Sequence, residues 1–125
     1  MPLAGRKYIT QPLGLLTVAA LLPKDWECRL FDLNARDLTD TDMSWADVVM
    51  TGGMITQQLE TLRLIGVFKG RGKPVVVGGP DPTSQPSLYA AADFLVLGEA
   101  EVSLPAFVAA WERGERSGRF EAGEA

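Results

Sequence analysis

Short β-branched runs alternate with helical segments along this chain, and that alternation predicts a doubly wound α/β domain. Two further observations agree. Pro74–Val77 (PVVV) is a near-continuous apolar run, as in a parallel strand covered on both faces. Three runs end in glycine where a strand would leave the sheet, at Gly52-Gly53, Gly78-Gly79 and Gly98. The 125 residues suit one domain, and 46% apolar with 22% charged residues is an ordinary globular balance.

Taken in order, Lys7–Thr10 (KYIT) is a short candidate strand, and nothing else in the opening residues is strand-like. Leu13–Leu22 is rich in Leu and Ala and reads as a buried helix, with Pro12 in its first turn and Pro23 stopping it. Trp26–Leu33 (WECRLFDL) reads as a strand. Thr39–Trp45 reads as a short helix, opened by a capping box in which Asp42 stands where Glu is usual. Asp47–Thr51 (DVVMT) is a strand ending at Gly52-Gly53. Between Thr56 and Lys69, Leu59, Leu62, Ile65 and Phe68 fall at helical spacing, and Gly70 is placed to end that helix in a left-handed conformation.

Pro74–Val77 runs into Gly78-Gly79-Pro80. Ser84–Ala91 reads as a short helix with Ser84 as N-cap and Pro86 in its first turn. Phe94–Leu97 (FLVL) is the next strand and ends at Gly98-Glu99. Ser103 is the expected cap of a last helix with apolar face Leu104, Phe107, Val108 and Trp111, stopped by Gly114. Residues 115–125 are charged and glycine-rich, and are expected to be a flexible tail or linker after a domain spanning 1–114. The expectation is a Rossmann-like or flavodoxin-like three-layer sandwich with a mostly parallel sheet of four or five strands.

Such a fold normally opens with a strand, whereas here a helix stands close to the start, so the usual first strand is read as missing. In folds of this type that strand is central, and its loss would leave backbone groups unpaired mid-sheet. Trp26–Leu33 and Asp47–Thr51 are therefore expected to pair directly, or a segment of a second copy to fill the gap. A start codon further upstream is the other explanation.

Composition removes several function classes. With 16 acidic and 12 basic residues the net charge is −4, which disfavours a nucleic-acid partner. There is no histidine, so no Ser–His or Cys–His mechanism arises within this chain. The single cysteine, Cys28, can form neither an internal disulfide nor an iron–sulfur site on its own. No run reaches the roughly 20 apolar residues that span a bilayer, and Leu13–Leu22 lacks the flanks of a signal peptide. A cytoplasmic location is expected. No acid–base pair or activated nucleophile is visible, so no catalytic residue and no metal ligand is assigned. What is left is a binding module.

Ligands of open parallel sheets sit beyond the carboxyl ends of the strands. Those ends are Asp32-Leu33-Asn34, Thr51-Gly52-Gly53-Met54, Gly78-Gly79-Pro80 and Gly98-Glu99. Glycine there permits positive φ and lets a flat ligand approach the backbone; strand-to-helix turns also use glycine without any ligand. The stretches QPLGLLTVAALLP, DLN at Asp32–Asn34, SWADVVMTGGMITQQ, GKPVVVGGPDPTS and ADFLVLGEAEVSLPAF, in this order, resemble the cobalamin-binding domain of radical S-adenosylmethionine proteins. The resemblance covers Gln11 to Gly114. In such domains a Ser-x-Leu after one strand precedes a Gly-Gly after the next. Here Gly52 stands at the Ser position, Met54 at the Leu position, and Gly78 follows Gly52 by 26 residues.

The resemblance implies a corrin ring over the carboxyl edge, with its nucleotide tail in the sheet–helix crevice. Gly52, Gly53, Gly78 and Gly79 would leave room and backbone N–H groups would meet the tail's polar atoms, with Pro80, Gly98 and Glu99 on the same edge. Asp32 and Asn34 would face corrin amides, and Leu33 and Met54 would give apolar contact. The chain departs from the family pattern in three ways: the first strand and its loop look truncated, no histidine can serve as lower axial ligand, and Gly52 lacks the Ser hydroxyl. Thr51 is adjacent, but neighbouring strand residues face opposite ways. The radical chemistry needs a Cys-x3-Cys-x2-Cys set that one cysteine cannot supply, so the implied partner is a radical S-adenosylmethionine catalytic domain or a second copy. The competing reading is a degenerate domain that binds no cofactor and serves in protein–protein assembly.

The remaining notable residues have ordinary explanations. Glu99 and Glu101 suit a helix N-terminus, Trp26, Trp45 and Trp111 suit core or interface packing, and Cys28 suits a small buried hydrophobe.

Overall fold

The computed structural model describes residues 7–10, 21–30, 39–52 and 58–121. Six parallel strands form one sheet: β1 (Lys7–Thr10), β2 (Glu27–Leu30), β3 (Val48–Gly52), β4 (Val75–Gly78), β5 (Phe94–Leu97) and β6 (Gly118–Glu121). Their order is β2-β1-β3-β4-β5-β6. The helices are α1 (Asp40–Trp45), α2 (Gln58–Gly70), α3 (Pro80–Ser84) and α4 (Ala100–Glu112), with a 3-10 turn at Pro86–Tyr89.

The first strand is present, which corrects the expectation of a missing one. Lys7–Thr10 lies between β2 and β3 and pairs with both, Tyr8 opposite Cys28 on one side and Val48 on the other. Neither direct β2–β3 pairing nor a borrowed segment is needed. A strand this short is stable in the middle because both backbone edges are bonded and both faces buried: Tyr8, Ile9 and Thr10 are all at most 3% exposed. Its entry is pinned where the Lys7 N–H donates to Asp47 Oδ2 at 3.0 Å and the Asp47 N–H donates to the Lys7 carbonyl at 2.7 Å.

Strand alternation makes two cores. Ile9, Val49, Val75, Val77, Leu95 and Leu97 face a layer holding Met43 of α1, Leu64, Ile65 and Phe68 of α2, and Tyr89. Tyr8, Val48, Met50, Val76, Phe94 and Val96 face Leu104, Phe107, Val108 and Trp111 of α4, with Leu22 and Trp26. The predicted apolar face of the last helix is thus the buried one. Aromatic edges interlock there, with Phe94 and Phe107 centroids 4.9 Å apart at 72°. The expected helix at 13–22 lies outside the described residues except for Leu21 and Leu22.

The helix ends follow local chemistry, with three corrections. The Thr39–Asp42 capping box is formed in both directions. Helix α2 continues through Gly70 and stops at Gly72 (φ +75°), where the Gly72 N–H donates to Lys69 and the Lys73 N–H to Phe68. The same closure ends α4, with Gly114 at φ +96°, as expected. Helix α4 begins earlier than Ser103: Glu99 is the N-cap, and the Ser103 hydroxyl donates to the Glu99 carbonyl at 3.1 Å. The segment expected as one helix from Ser84 to Ala91 is two pieces, because α3 already starts at Pro80 and Gln85 (φ −135°, ψ 61°) breaks the chain before the 3-10 turn.

Strand β6 corrects the reading of 115–125 as a tail. Gly118–Glu121 pairs with β5, with Phe120 half-buried and stacked on Phe94 at 6.3 Å while Arg119 and Glu121 face outward. An edge strand needs one apolar side chain per turn of the pleat, too sparse a signal among charged neighbours to be read beforehand.

Candidate ligand-binding edge

Because every strand is parallel, all strand exits open on one edge. The order reverses direction between β1 and β3, the switch point at which doubly wound sheets of order 2-1-3-4-5 take their ligands. Thr10 closes β1 there and is 3% exposed; Thr51 and Gly52 close β3. Thr51 shares the parity of Val49 and so faces the α1–α2 layer, whereas Gly52 at φ +143° leaves the strand alternation, its Cβ direction aimed at the β4 backbone.

Gly52 and Gly78 are ladder partners, and Gly78 is paired in turn with Val96. Gly52 has φ +143°, and a Cβ built on it would lie 1.8 Å from the Gly78 carbonyl oxygen. A Cβ on Gly78 would lie 2.9 Å from the Val96 carbonyl oxygen. Both glycines are therefore required by neighbouring backbone within the sheet. Their juxtaposition has a second consequence: two adjacent positions at the exits of β3 and β4 carry no side chain, leaving bare backbone beside the switch point.

Gly79 (φ +111°) and Gly98 (φ +76°) also occupy conformations that favour glycine, and Gly79, Pro80, Gly98 and Glu99 are exposed along the edge. The Gly98 N–H donates to Thr83 Oγ1 at 3.0 Å. Glu99 caps α4 through its backbone, with no side-chain cap bond. Two apolar side chains stand exposed at helix starts on this edge, Leu59 on α2 (81%) and Val102 on α4 (56%). Asp32, Leu33, Asn34, Gly53 and Met54 lie outside the described residues.

One group at the edge escaped the sequence reading. Asp81 of α3 is 4% exposed and forms no ion pair among the described residues; its carboxylate accepts from Tyr89 Oη at 2.5 Å, Gln58 Nε2 at 2.8 Å and Gln85 Nε2 at 2.9 Å. The Asp81–Gln85 pair at i,i+4 was the visible part of the signal; Gln58 and Tyr89 arrive from elsewhere in the chain. The Tyr89 hydroxyl, then the Gln58 amide, hold the Asp81 carboxyl below the ordinary carboxylate range. Burial, then this bond to Asp81, pushes Tyr89 above the usual phenol range. A carboxyl lowered in the folded state stabilises the fold above its unfolded pKa of about 3.9, and that contribution disappears as pH falls through the folded value. Asp81→Asn is accordingly expected to flatten the acid limb of a plot of denaturation midpoint against pH, from about pH 4 downward. An unchanged acid limb would show that the folded state does not favour the ionised carboxyl.

The other predicted residues behave as packing groups. Trp26 and Trp111 are buried, and Trp45 lies under the Arg29 guanidinium at 4.2 Å. Cys28 is half-buried rather than buried; burial raises its thiol, while the Tyr8 hydroxyl bonded to it acts the other way. Among the described residues no three His, Cys, Asp or Glu side chains gather as a metal site, and no helix is long and apolar enough to cross a membrane.

Comparison with known proteins gives a consistent picture. The B12 binding domain family matches residues 2–108. An uncharacterized methyltransferase of Synechocystis sp. is 48% identical over 126 aligned positions, covering 99% of this chain and 24% of that protein. The hopanoid C-2 methylase of Rhodopseudomonas palustris is 38% identical over 88 positions, covering 70% of this chain and 17% of that protein. The chain thus spans about a quarter or less of the length of these relatives. No solved structure matches it.

Proposed function

The chain belongs to the B12-binding domain family, and from that premise we propose that it is a cobalamin-binding module of the kind that precedes a radical S-adenosylmethionine catalytic domain. The observation that carries the reading is the side-chain-free Gly52–Gly78 pair beside the β1–β3 switch point. A flat, amide-rimmed macrocycle with a nucleotide tail needs such a surface: bare backbone for the close approach, and apolar contact beyond it. The residues present fit that group. Gly52 and Gly78 give the bare strip, Gly79, Pro80, Gly98 and Glu99 the exposed turns, and Thr10 and Thr51 the polar strand ends. Leu59 and Val102 would meet the apolar rim. Asp32, Leu33, Asn34, Gly53 and Met54 would complete the contacts.

Bound cobalamin supplies a cobalt centre able to carry a methyl group. This chain's part would be to bind and orient it. With no histidine in the sequence, this chain would offer the cobalt no imidazole ligand. Its one cysteine cannot hold an iron–sulfur cluster alone, so the radical and methyl-transfer steps would belong to the remainder of a longer, cytoplasmic protein. The methyltransferase and methylase names of the relatives support that assignment.

The assembly reading draws on a missing first strand and a replaced Ser. The presence of β1, paired with both β2 and β3, takes away the first of these. Titrating hydroxocobalamin into the protein while following its visible spectrum and the heat of binding tests the proposal. Saturable one-to-one binding is the expected result; unchanged spectra and no heat at high micromolar ligand would leave the assembly reading in its place.

A further inference from the structure

Asp81 sits at the junction of three strand exits. It lies three residues beyond Gly78 on α3, and Gln58, which donates to it at 2.8 Å, opens α2 six residues beyond Gly52. From the same short helix, Thr83 accepts from the Gly98 N–H at 3.0 Å. Helix α3 therefore reaches back to the exit of β3 and forward to the exit of β5. Five residues cannot hold themselves as a helix in isolation, and Gly79 before it and Gln85 after it are both outside helical conformation. Its position is set from outside, and three side-chain hydrogen bonds converge on Asp81. Burying a carboxylate is costly unless donors surround it, and three neutral donors do so here.

We propose that Asp81 is a positioning residue for the ligand-binding edge, fixing the Gly79–Pro80 turn against the start of α2. The role rests on the cobalamin reading above. Gln85 bonds the same carboxylate from within one turn of helix, so it adds stability without tying two strand exits together. Gln58 does tie them. Removing either amide deletes one hydrogen bond to one carboxylate, and only one of the two deletions frees the turn.

The test compares Gln58→Ala with Gln85→Ala in the full chain. Thermal midpoints of the two ligand-free variants should fall alike. Amide exchange at Gly79 should quicken clearly in Gln58→Ala and stay near the unaltered rate in Gln85→Ala. Hydroxocobalamin affinity should weaken roughly tenfold in Gln58→Ala, the scale of one hydrogen bond to a charged group, and less than about twofold in Gln85→Ala. Equal affinities in the two variants, or equal exchange at Gly79, would overturn the role. Failure of the unaltered protein to bind hydroxocobalamin would overturn the cobalamin reading and this role with it, whereas unaltered binding with equal variants would overturn the role alone.

Discussion

Gly52→Ser is expected to lower stability by roughly 2–5 kcal/mol, the sum of a strained backbone and a core overlap. In the family pattern Ser stands at this position, so the change looks like a restoration of a ligand contact. The structure gives the opposite expectation. The new Cβ would be placed 1.8 Å from the Gly78 carbonyl oxygen, and the backbone at φ +143° is one that L residues rarely adopt. The neighbour is ladder backbone, which cannot rotate away as a flexible side chain would. Against a total of roughly 5–15 kcal/mol for a domain, the loss is large. Gly78→Ala should cost less, since its added Cβ would stand 2.9 Å from Val96 and no positive φ is involved. Gly66→Ala on α2, where nothing lies within 4 Å, should stabilise by roughly 0.5–1 kcal/mol. Urea midpoints of the three variants check the order. A Gly52→Ser protein as stable as the original would show that β3 and β4 are not apposed as described.

Phe107→Ala should have an effect of the same size for a different reason. Phe107 is fully buried and stands at the centre of the aromatic layer, 4.9 Å from Phe94, 6.4 Å from Trp26 and 6.0 Å from Trp111. Truncation removes the ring's transfer energy and leaves a cavity that neighbouring rings cannot collapse into, together roughly 3–5 kcal/mol. The thermal midpoint should drop by roughly 10–20 °C, with loss of near-ultraviolet circular dichroism from the tryptophans. Leu59→Ala, at an 81% exposed site, should stay within about 0.5 kcal/mol. A small loss at Phe107 would mean that α4 does not close over this face of the sheet.

Where residues act through their immediate neighbours, the structure agrees with what can be read directly. The capping box at Thr39 and Asp42, the strand Phe94–Leu97, the buried stripe of α4 and the glycine that ends it all depend on contacts within a few positions. The glycines at three strand exits were equally visible, although their reason at Gly52 and Gly78 is strand against strand. Gly70 and Gly72 compete for one helix end, and the winner is the one whose left-handed turn lets Lys73 reach the Phe68 carbonyl.

Amino-acid order alone determined a parallel α/β domain with glycine-ended strands, because period and punctuation are local properties of the chain. Tertiary structure alone decided that KYIT is an interior strand between β2 and β3, that Gly118–Glu121 is an edge strand, and that Asp81 is buried among Tyr89, Gln58 and Gln85. Unlike the wholly apolar Phe94–Leu97, a four-residue strand that mixes polar and apolar side chains, such as Lys7–Thr10 or Gly118–Glu121, carries too little preference to fix its place in a sheet. It becomes stable only when partners distant in sequence satisfy its backbone, and a buried carboxylate only when distant donors surround it.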